Sequence, residues 1–256
     1  MKKILHVALS VLVASSLAYG SEQFAMSDAD RALYEELLEN NPADMMLASG
    51  SEYLDALGGN VALAKYLGQS EDSLAPYLAG FPRYIDKYKS VVSIDQMLQA
   101  FMHDSGAKPY TLKSEEMFNM SSYVKSLANE QAINIDINAN KQILEAYALG
   151  KEVFNTRRGG RGLSCYNCHN SNVIGSVLRT QPLPDISAKG NASAATWPAY
   201  RMTKSKLATL QKRFQGCMEN ALLAVIPLGS KEMTALEVYF THEAKGAPIA
   251  IPGLKR

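Results

Sequence analysis

Three cysteines are the residues of this chain best suited to covalent chemistry, and two of them lie close together. Cys165 and Cys168 belong to the stretch Cys165-Tyr166-Asn167-Cys168-His169, which has the pattern C-x-x-C-H. Thiols three residues apart on a turn can bond the two vinyl groups of one haem, and the next histidine can then supply the fifth iron ligand. The motif predicts one covalent haem c, attached through Cys165 and Cys168 and ligated by His169.

Two other chemistries use a C-x-x-C pattern. Zinc needs four ligands, and the remaining partners, His103, His242 and Cys217, are far from the motif in sequence. A thioredoxin-like disulfide would lie between a strand and a helix, which the surrounding sequence does not predict. The sequence therefore favours haem.

The sixth iron ligand is not fixed by the motif. Methionine is common in electron carriers, and the sequence offers several sulfur and imidazole groups. The candidates are Met202, Met218, Met233, His242 and Cys217.

Cys217 has the most distinctive surroundings of these candidates. A helix is predicted over 204–225, and its apolar face has Cys217 in the middle of the series Leu207, Leu210, Phe214, Cys217 and Ala221. Arg213 lies one turn earlier on the same side, next to Lys212. A nearby cation favours thiolate, which is both an iron ligand and a nucleophile. The alternatives are a buried structural cysteine and a solvated helix arginine.

The elements around these residues are predicted to be helical. Beyond 204–225, residues 129–142 are interpreted as an extended linker, and 155–163 as a basic, glycine-rich loop. Helices are predicted over 28–40, 93–104, 114–128 and 230–244, with a further helix from about 140 and short helical pieces in 41–92.

The two halves of the chain share a pattern. Ser114 is followed by apolar residues at the same intervals as Ser230, 116 residues later. This predicts an all-α protein with two cytochrome c-like domains in tandem, over 21–139 and 140–256. The first half has no cysteine, so it is predicted to lack haem.

The N-terminus has the pattern of a secretory signal. Lys2 and Lys3 precede an apolar run that ends in small residues, so 1–20 is predicted to be a signal peptide cleaved after Gly20. The apolar run is too short for a stable membrane anchor. The formal charge of +1 gives no indication of nucleic acid as a partner. A periplasmic protein without a membrane anchor is expected.

With these residues in place, the chain resembles the SoxA family, the catalytic subunits of the SoxAX cytochrome complexes of thiosulfate oxidation. The most specific feature is Arg213 followed four residues later by Cys217. The motif-bearing segments are GKEVFNTRRGGRGLSCYNCHN (150–170), WPAYRM (197–202), LQKRFQGCMEN (210–220) and the C-terminal IPGLKR.

The resemblance implies an enzyme, an L-cysteine S-thiosulfotransferase. It implies that Cys217 is the distal iron ligand and the active-site sulfur, carried as a persulfide, and that Arg213 binds the substrate. Thiosulfate would be joined to a cysteine of the carrier protein SoxYZ, and two electrons would pass to a SoxX-like cytochrome partner. The other readings are a thiosulfate dehydrogenase that forms tetrathionate and a plain electron-transfer cytochrome with His/Met ligation.

The chain departs from the family pattern in two respects. Many members have a second C-x-x-C-H in the first domain, so this chain resembles the single-haem subgroup. The further basic residue that many members have near the last helix has no clear counterpart. The candidates for substrate contact beside Arg213 are Arg201, Lys212, His242 and Lys245.

Overall fold

The computed structural model describes residues 28–173, 177–178, 181–188 and 190–255, so the predicted signal peptide lies outside the described residues. Helices dominate, and the strands have two or three residues each, which confirms the all-α class. The helices are α1 (Asp28–Glu39), α2 (Asp44–Asp55), α3 (Gly59–Tyr66), α4 (Glu71–Leu78), α5 (Ile94–Asp104), α6 (Glu115–Ser126), α7 (Lys141–Asn155), α8 (Leu210–Ala221) and α9 (Lys231–Glu243). The strands are β1 (Arg83–Ile85), β2 (Ser90–Val92), β3 (Val177–Leu178), β4 (Gln181–Pro182), β5 (Ala199–Arg201), β6 (Lys206–Ala208) and β7 (Gly253–Lys255).

The fold repeats itself after 116 residues. The series β1, β2, α5 and α6 recurs as β5, β6, α8 and α9 at that same separation. The left-handed residue between the two strands is Lys89 in the first half and Ser205 in the second. Ser93 caps α5, and Thr209 caps α8, each by accepting a hydrogen bond from a backbone N–H of the first turn. These matches support the internal duplication that the sequence predicts.

A glycine in each half lets two helices pack closely. Gly50 of α2 lies against the backbone carbonyl of Asn119 in α6, and Gly150 of α7 lies against that of Ala235 in α9. A methyl group at either glycine would overlap the carbonyl oxygen. Asn119 and Ala235 are again 116 residues apart, so both halves use the same close helix pair.

The two halves are joined by reciprocal backbone hydrogen bonds. The Glu130 N–H donates to the Ile249 carbonyl, and the Gly246 N–H donates to the Ile133 carbonyl, each at 2.9 Å. The Ile133 and Ile249 N–H groups donate to the carbonyls of Ala247 and Gln131 at the same distance. Of the segment interpreted as an extended linker, only the part around Ile133 is neither helix nor turn: turns stand on both sides of it, and α7 already begins at Lys141. This part contributes to the interface between the halves.

One hydrophobic core runs through both halves. Leu54, Met97 and Met120 of the first half belong to the same buried cluster as Met233 and Leu236 of the second. The halves therefore pack as one body, and the boundary between 139 and 140 stays a prediction.

The helix predicted over 204–225 is shorter in the structure. Lys206–Ala208 form β6, which pairs antiparallel with β5, and α8 begins only after the cap Thr209. The helix ends at Ala221 because Leu222 takes a left-handed conformation, with φ of 56°. Leu207 therefore belongs to a strand and is not on the helical face assigned to it.

Candidate functional site

A cavity of about 280 Å³ lies between the cysteine motif, α8 and the end of the chain. It is lined by all five site residues selected from the sequence, which are Cys165, Cys168, His169, Arg213 and Cys217. The first three come from the loop after α7, and the last two come from α8. The fold therefore brings together two sequence segments about 50 residues apart.

The cysteine motif forms a single tight turn. The backbone N–H groups of Cys168 and His169 both donate to the Cys165 carbonyl, at 3.1 and 3.0 Å. The Asn167 side-chain oxygen accepts hydrogen bonds from the N–H and hydroxyl of Ser164, at 2.8 and 3.0 Å. This turn places the side chains of Cys165, Cys168 and His169 on the same cavity. No disulfide joins the three cysteines, and burial raises the pKa of the Cys165 thiol to about 11.

His169 is oriented by a backbone carbonyl. Its Nδ1 lies 2.9 Å from the carbonyl oxygen of Pro184. Because a carbonyl only accepts, Nδ1 carries a proton, and Nε2 is the ring nitrogen that remains for a second partner. This is the arrangement that orients histidine ligands of metal ions.

The Cys217 sulfur faces this histidine. Burial raises the pKa of the Cys217 thiol, but the hydrogen bond with His169 and the positive charges of Arg213 and Arg201 lower it more, so the net pKa lies below its ordinary value. A thiol in this setting has increased thiolate character. Both side chains line the same cavity.

The residues around the cavity fit a haem c. Its apolar lining includes Leu163, Ile186, Trp197, Leu210, Phe214 and Phe240. Imidazole nitrogen and thiolate sulfur are both established haem-iron ligands, and an apolar lining suits the macrocycle. Cys165 and Cys168 would hold the group covalently, and His169 and Cys217 would bind its iron.

The other candidates for the sixth ligand are placed less favourably. Met218 lines the cavity, but its sulfur accepts a hydrogen bond from the Ile226 N–H at 3.5 Å. Met233 is fully buried in the core. His242 packs edge-on against the Tyr147 ring at 4.7 Å, and neither His242 nor Met202 is among the residues that line the cavity.

The candidates for substrate contact also differ in whether they line the cavity. Arg201 lines the cavity, whereas Lys212, His242 and Lys245 do not. The Lys212 ammonium instead lies near Gln215 at 3.3 Å and Glu219 at 3.8 Å.

Sequence reasoning missed one cation of the cavity, Lys255. It reaches the site because β7 pairs in parallel with β5, with Lys255 opposite Arg201. The segment IPGLKR is one of those that resemble the SoxA family, but its pairing with β5 has no local signal in the sequence.

The first half has no comparable site among its described residues. Phe101 stands 116 residues before Cys217, and its ring packs at 5.0 Å from that of Tyr66. The Tyr66 hydroxyl donates to Asp104 at 2.7 Å. An aromatic ring packed on another ring thus stands in the first half at the position of the Cys217 sulfur.

The alternative chemistries of the cysteine motif find no matching geometry in the described residues. There, no group of three or more histidine, cysteine, aspartate or glutamate side chains is arranged to hold a metal ion.

None of the helices described is both long enough and apolar enough to cross a membrane.

Comparison with protein families gives a match to the SoxA/TsdA cytochrome c domain, over residues 56–133 and 149–249. These two stretches span well over half of the chain and lie in both halves. The chain belongs to this family. Its membership agrees with the C-x-x-C-H turn and with the two-part fold.

Individual SoxA proteins are similar along most of the chain. The L-cysteine S-thiosulfotransferase subunit SoxA of Hydrogenophilus thermoluteolus is 28% identical over 96% of this chain and 94% of its own length. The SoxA subunit of Chlorobaculum thiosulfatiphilum is 25% identical, covering 93% of this chain and 80% of its own length.

The crystal structure of SoxXA from P. pantotrophus has a similar fold. It matches with a TM-score of 0.74 at 24% identity, covering 88% of this chain and 84% of that chain. The match extends over both halves of this SoxA-family chain and supports the cytochrome c fold.

Proposed function

We propose that this chain is a periplasmic, haem c-containing L-cysteine S-thiosulfotransferase of the sulfur-oxidising pathway. It joins thiosulfate to a cysteine of a SoxYZ carrier protein and passes the electrons to a SoxX-like cytochrome. The activity is that of the SoxA relatives, by their names, and the crystal structure with the similar fold is of a SoxXA protein. Export through the predicted signal peptide accounts for the periplasmic location.

One observation carries the proposal: the Cys217 sulfur faces the His169 ring in a cavity that Arg213 also lines. A plain electron carrier needs no cation beside its sixth ligand. A sulfur that reacts with an anion does, because the cation orients the anion and favours thiolate.

The overall reaction balances with a two-electron oxidation. A carrier thiolate and thiosulfate form one sulfur–sulfur bond and release two electrons. When bound, haem supplies a one-electron acceptor for these steps. Arg213 would hold the dianion by its charge, and His169 is held in place by the Pro184 carbonyl. Thiosulfate would first join the Cys217 sulfur as the two electrons leave; the carrier thiolate would then attack the sulfur bonded to Cys217, forming the carrier adduct and breaking the bond to Cys217, which leaves as thiolate.

The test is a product analysis with purified components. Holoprotein, SoxX-like cytochrome, SoxYZ and thiosulfate are mixed, and the carrier protein is measured by intact mass spectrometry. We expect a thiosulfate adduct on the carrier cysteine and reduction of the cytochrome, both lost in Cys217→Ala. An unmodified carrier with wild-type protein would refute the proposed function.

Two other functions have specific observations in their favour. The matched family includes TsdA as well as SoxA, and a thiosulfate dehydrogenase would form tetrathionate in the same mixture without the carrier. A His/Met electron carrier would use Met218, which lines the cavity, and its haem spectrum would not change in Cys217→Ala.

A further inference from the structure

We propose that Lys255 is a substrate-binding residue and that the haem-less half of the chain holds it at the cavity. This inference rests on the proposed function, since it assigns a role in binding thiosulfate. It also assigns the first half, which has no cysteine motif, a role in positioning a substrate-binding residue.

Among the residues that the structure describes, Lys255 lines the cavity together with Cys217 and two other cations, Arg201 and Arg213. Arg213 approaches from α8, whereas Arg201 and Lys255 approach from the sheet, where they stand opposite each other in the β5–β7 pair. Cations from three different elements, α8, β5 and β7, thus converge on one cavity. A small dianion is bound best by several positive groups in a site of low polarity, where charge-assisted hydrogen bonds are strong.

The strand that carries Lys255 is tied to the first half by side-chain hydrogen bonds. The Asn129 amide donates to the Ile251 carbonyl at 2.7 Å and accepts from the Ile251 N–H at 2.8 Å. The Asn41 amide donates to the Pro252 carbonyl at 3.1 Å. These bonds fix the backbone only a few residues before Lys255.

Two further contacts complete this attachment. The Tyr34 hydroxyl, from α1, donates to the Leu254 carbonyl at 3.3 Å, directly before Lys255. On the other side, the Gly253 N–H donates to the Pro198 carbonyl at 3.2 Å, next to β5. The first half therefore holds β7 from one side while β5 pairs with it on the other. Without the first half, the last residues of the chain would lose most of what determines their path.

Other lysines near the end of the chain do not share this placement. Lys245 is exposed in the turn after α9 and does not line the cavity. Substitution of Lys245 removes the same charge from the same region, so it is a matched control for Lys255. In the same way the exposed Asn138 is a control for Asn129.

The experiment compares holoprotein variants by thiosulfate binding and by steady-state coupling to SoxYZ. In Lys255→Gln we expect the dissociation constant and the KM for thiosulfate to rise about 10- to 100-fold, the usual loss when one charged hydrogen bond is removed. The kcat stays within a few-fold of wild type. Lys255→Arg restores most of the affinity, and Lys245→Gln behaves as wild type.

Asn129→Ala tests the positioning role of the first half. The substitution removes no charge. Weaker thiosulfate binding with an unchanged haem absorption spectrum would therefore show that the Asn129 hydrogen bonds to Ile251, just before β7, contribute to substrate binding. Asn138→Ala is expected to bind as wild type does. Wild-type affinity in both Lys255→Gln and Asn129→Ala would overturn the inference.

Failure of the proposed function is distinguishable from failure of this inference. A wild-type protein that binds thiosulfate but does not modify SoxYZ contradicts the function, while the effect of Lys255→Gln on binding still tests the lysine. A wild-type protein that modifies SoxYZ equally well after Lys255→Gln contradicts only the inference.

Discussion

At the scale of single residues, Cys217 has both the position and the electrostatic surroundings that the proposed chemistry requires. Its sulfur faces His169, and the charges of Arg213 and Arg201 act on it. The same position in the first half is Phe101, which packs on Tyr66. A change of one side chain in a repeated framework thus separates a reactive site from a packed core.

Substitution of Arg213 should weaken substrate binding without disturbing the fold. In Arg213→Gln we expect kcat/KM for thiosulfate to fall about 10- to 100-fold, because one charged contact with the dianion is lost. Lys212→Gln is the matched control, since the neighbouring Lys212 does not line the cavity and its ammonium lies near Glu219. Equal losses in the two variants would indicate a general effect of surface charge, contrary to a direct role for Arg213.

From the sequence, some residues that line the cavity can be selected, but not all of them. The C-x-x-C-H pattern and the four-residue spacing of Arg213 and Cys217 are local, so both can be read without a structure. Lys255 is different, because it reaches the cavity only through the pairing of β7 with β5. Such non-local pairing leaves no periodic signal in the sequence.

At the scale of elements, the close packing of α7 on α9 depends on Gly150. We expect Gly150→Ala to lower the free energy of unfolding by about 3 kcal/mol, because the new methyl group would overlap the Ala235 carbonyl. Gly216→Ala, in α8, has open space around the added methyl group and should raise stability by about 0.5–1 kcal/mol. Chemical denaturation of both holoproteins measures the difference, and similar values for the two variants would contradict the packing argument.

A buried group of ionisable residues joins α5, α6 and α9 at the interface between the halves. Asp95 and Glu237 line a small cavity there with Lys125. Burial, and then the charge of Asp95, raises the pKa of Glu237 to about 7, against the opposing effects of the Gln211 hydrogen bond and the charge of Lys125. Burial likewise raises the pKa of Asp95 to about 6 and lowers that of Lys125 to about 8.

The pH dependence of the free energy of unfolding follows from the directions of these pKa shifts. A carboxyl group whose pKa is raised on folding stabilises the protein at low pH, and this contribution is lost as the pH rises through the folded-state pKa. For Glu237 the loss runs from its ordinary value of 4.5 to about 7. The melting temperature of wild-type holoprotein should therefore fall more between pH 5 and pH 8 than that of Glu237→Gln. Parallel curves for the two proteins would show that Glu237 does not titrate in this range.

The main helices could be predicted from the sequence because they have clear caps and periodic apolar residues. Helices α5, α6 and α9 begin and end within two residues of the predicted bounds. The short strands could not, because three residues are too few for a period-two pattern. The predicted start of α8 is too early for this reason, since Lys206–Ala208 pair with β5 before Thr209 caps the helix.

At the scale of the whole molecule, the two halves with the repeated element order are packed against each other. They share one core and exchange backbone hydrogen bonds through 130–133 and 246–249. The sequence indicates the repeat, but the extended residues around Ile133 have no local sign that they are buried against the other half.

This mutual dependence predicts that the second half does not fold alone. A fragment of residues 140–256 would expose Met233 and Leu236, which belong to the shared core. The backbone before β7 would also lose its hydrogen bonds with Asn41 and Asn129. We expect the full-length holoprotein to unfold in one cooperative transition and the fragment to show no such transition by circular dichroism. A fragment that unfolds cooperatively at a similar temperature would favour two independent domains.

We propose, above all, that the Cys217 sulfur and the His169 imidazole would both bind the haem iron. Electron paramagnetic resonance of the oxidised holoprotein tests it most directly, with Cys217→Ala and Met218→Leu measured beside the wild type. We predict a low-spin histidine–thiolate signal in the wild type and in Met218→Leu, and its loss in Cys217→Ala. A signal of histidine–methionine ligation that persists in Cys217→Ala and disappears in Met218→Leu would contradict the account.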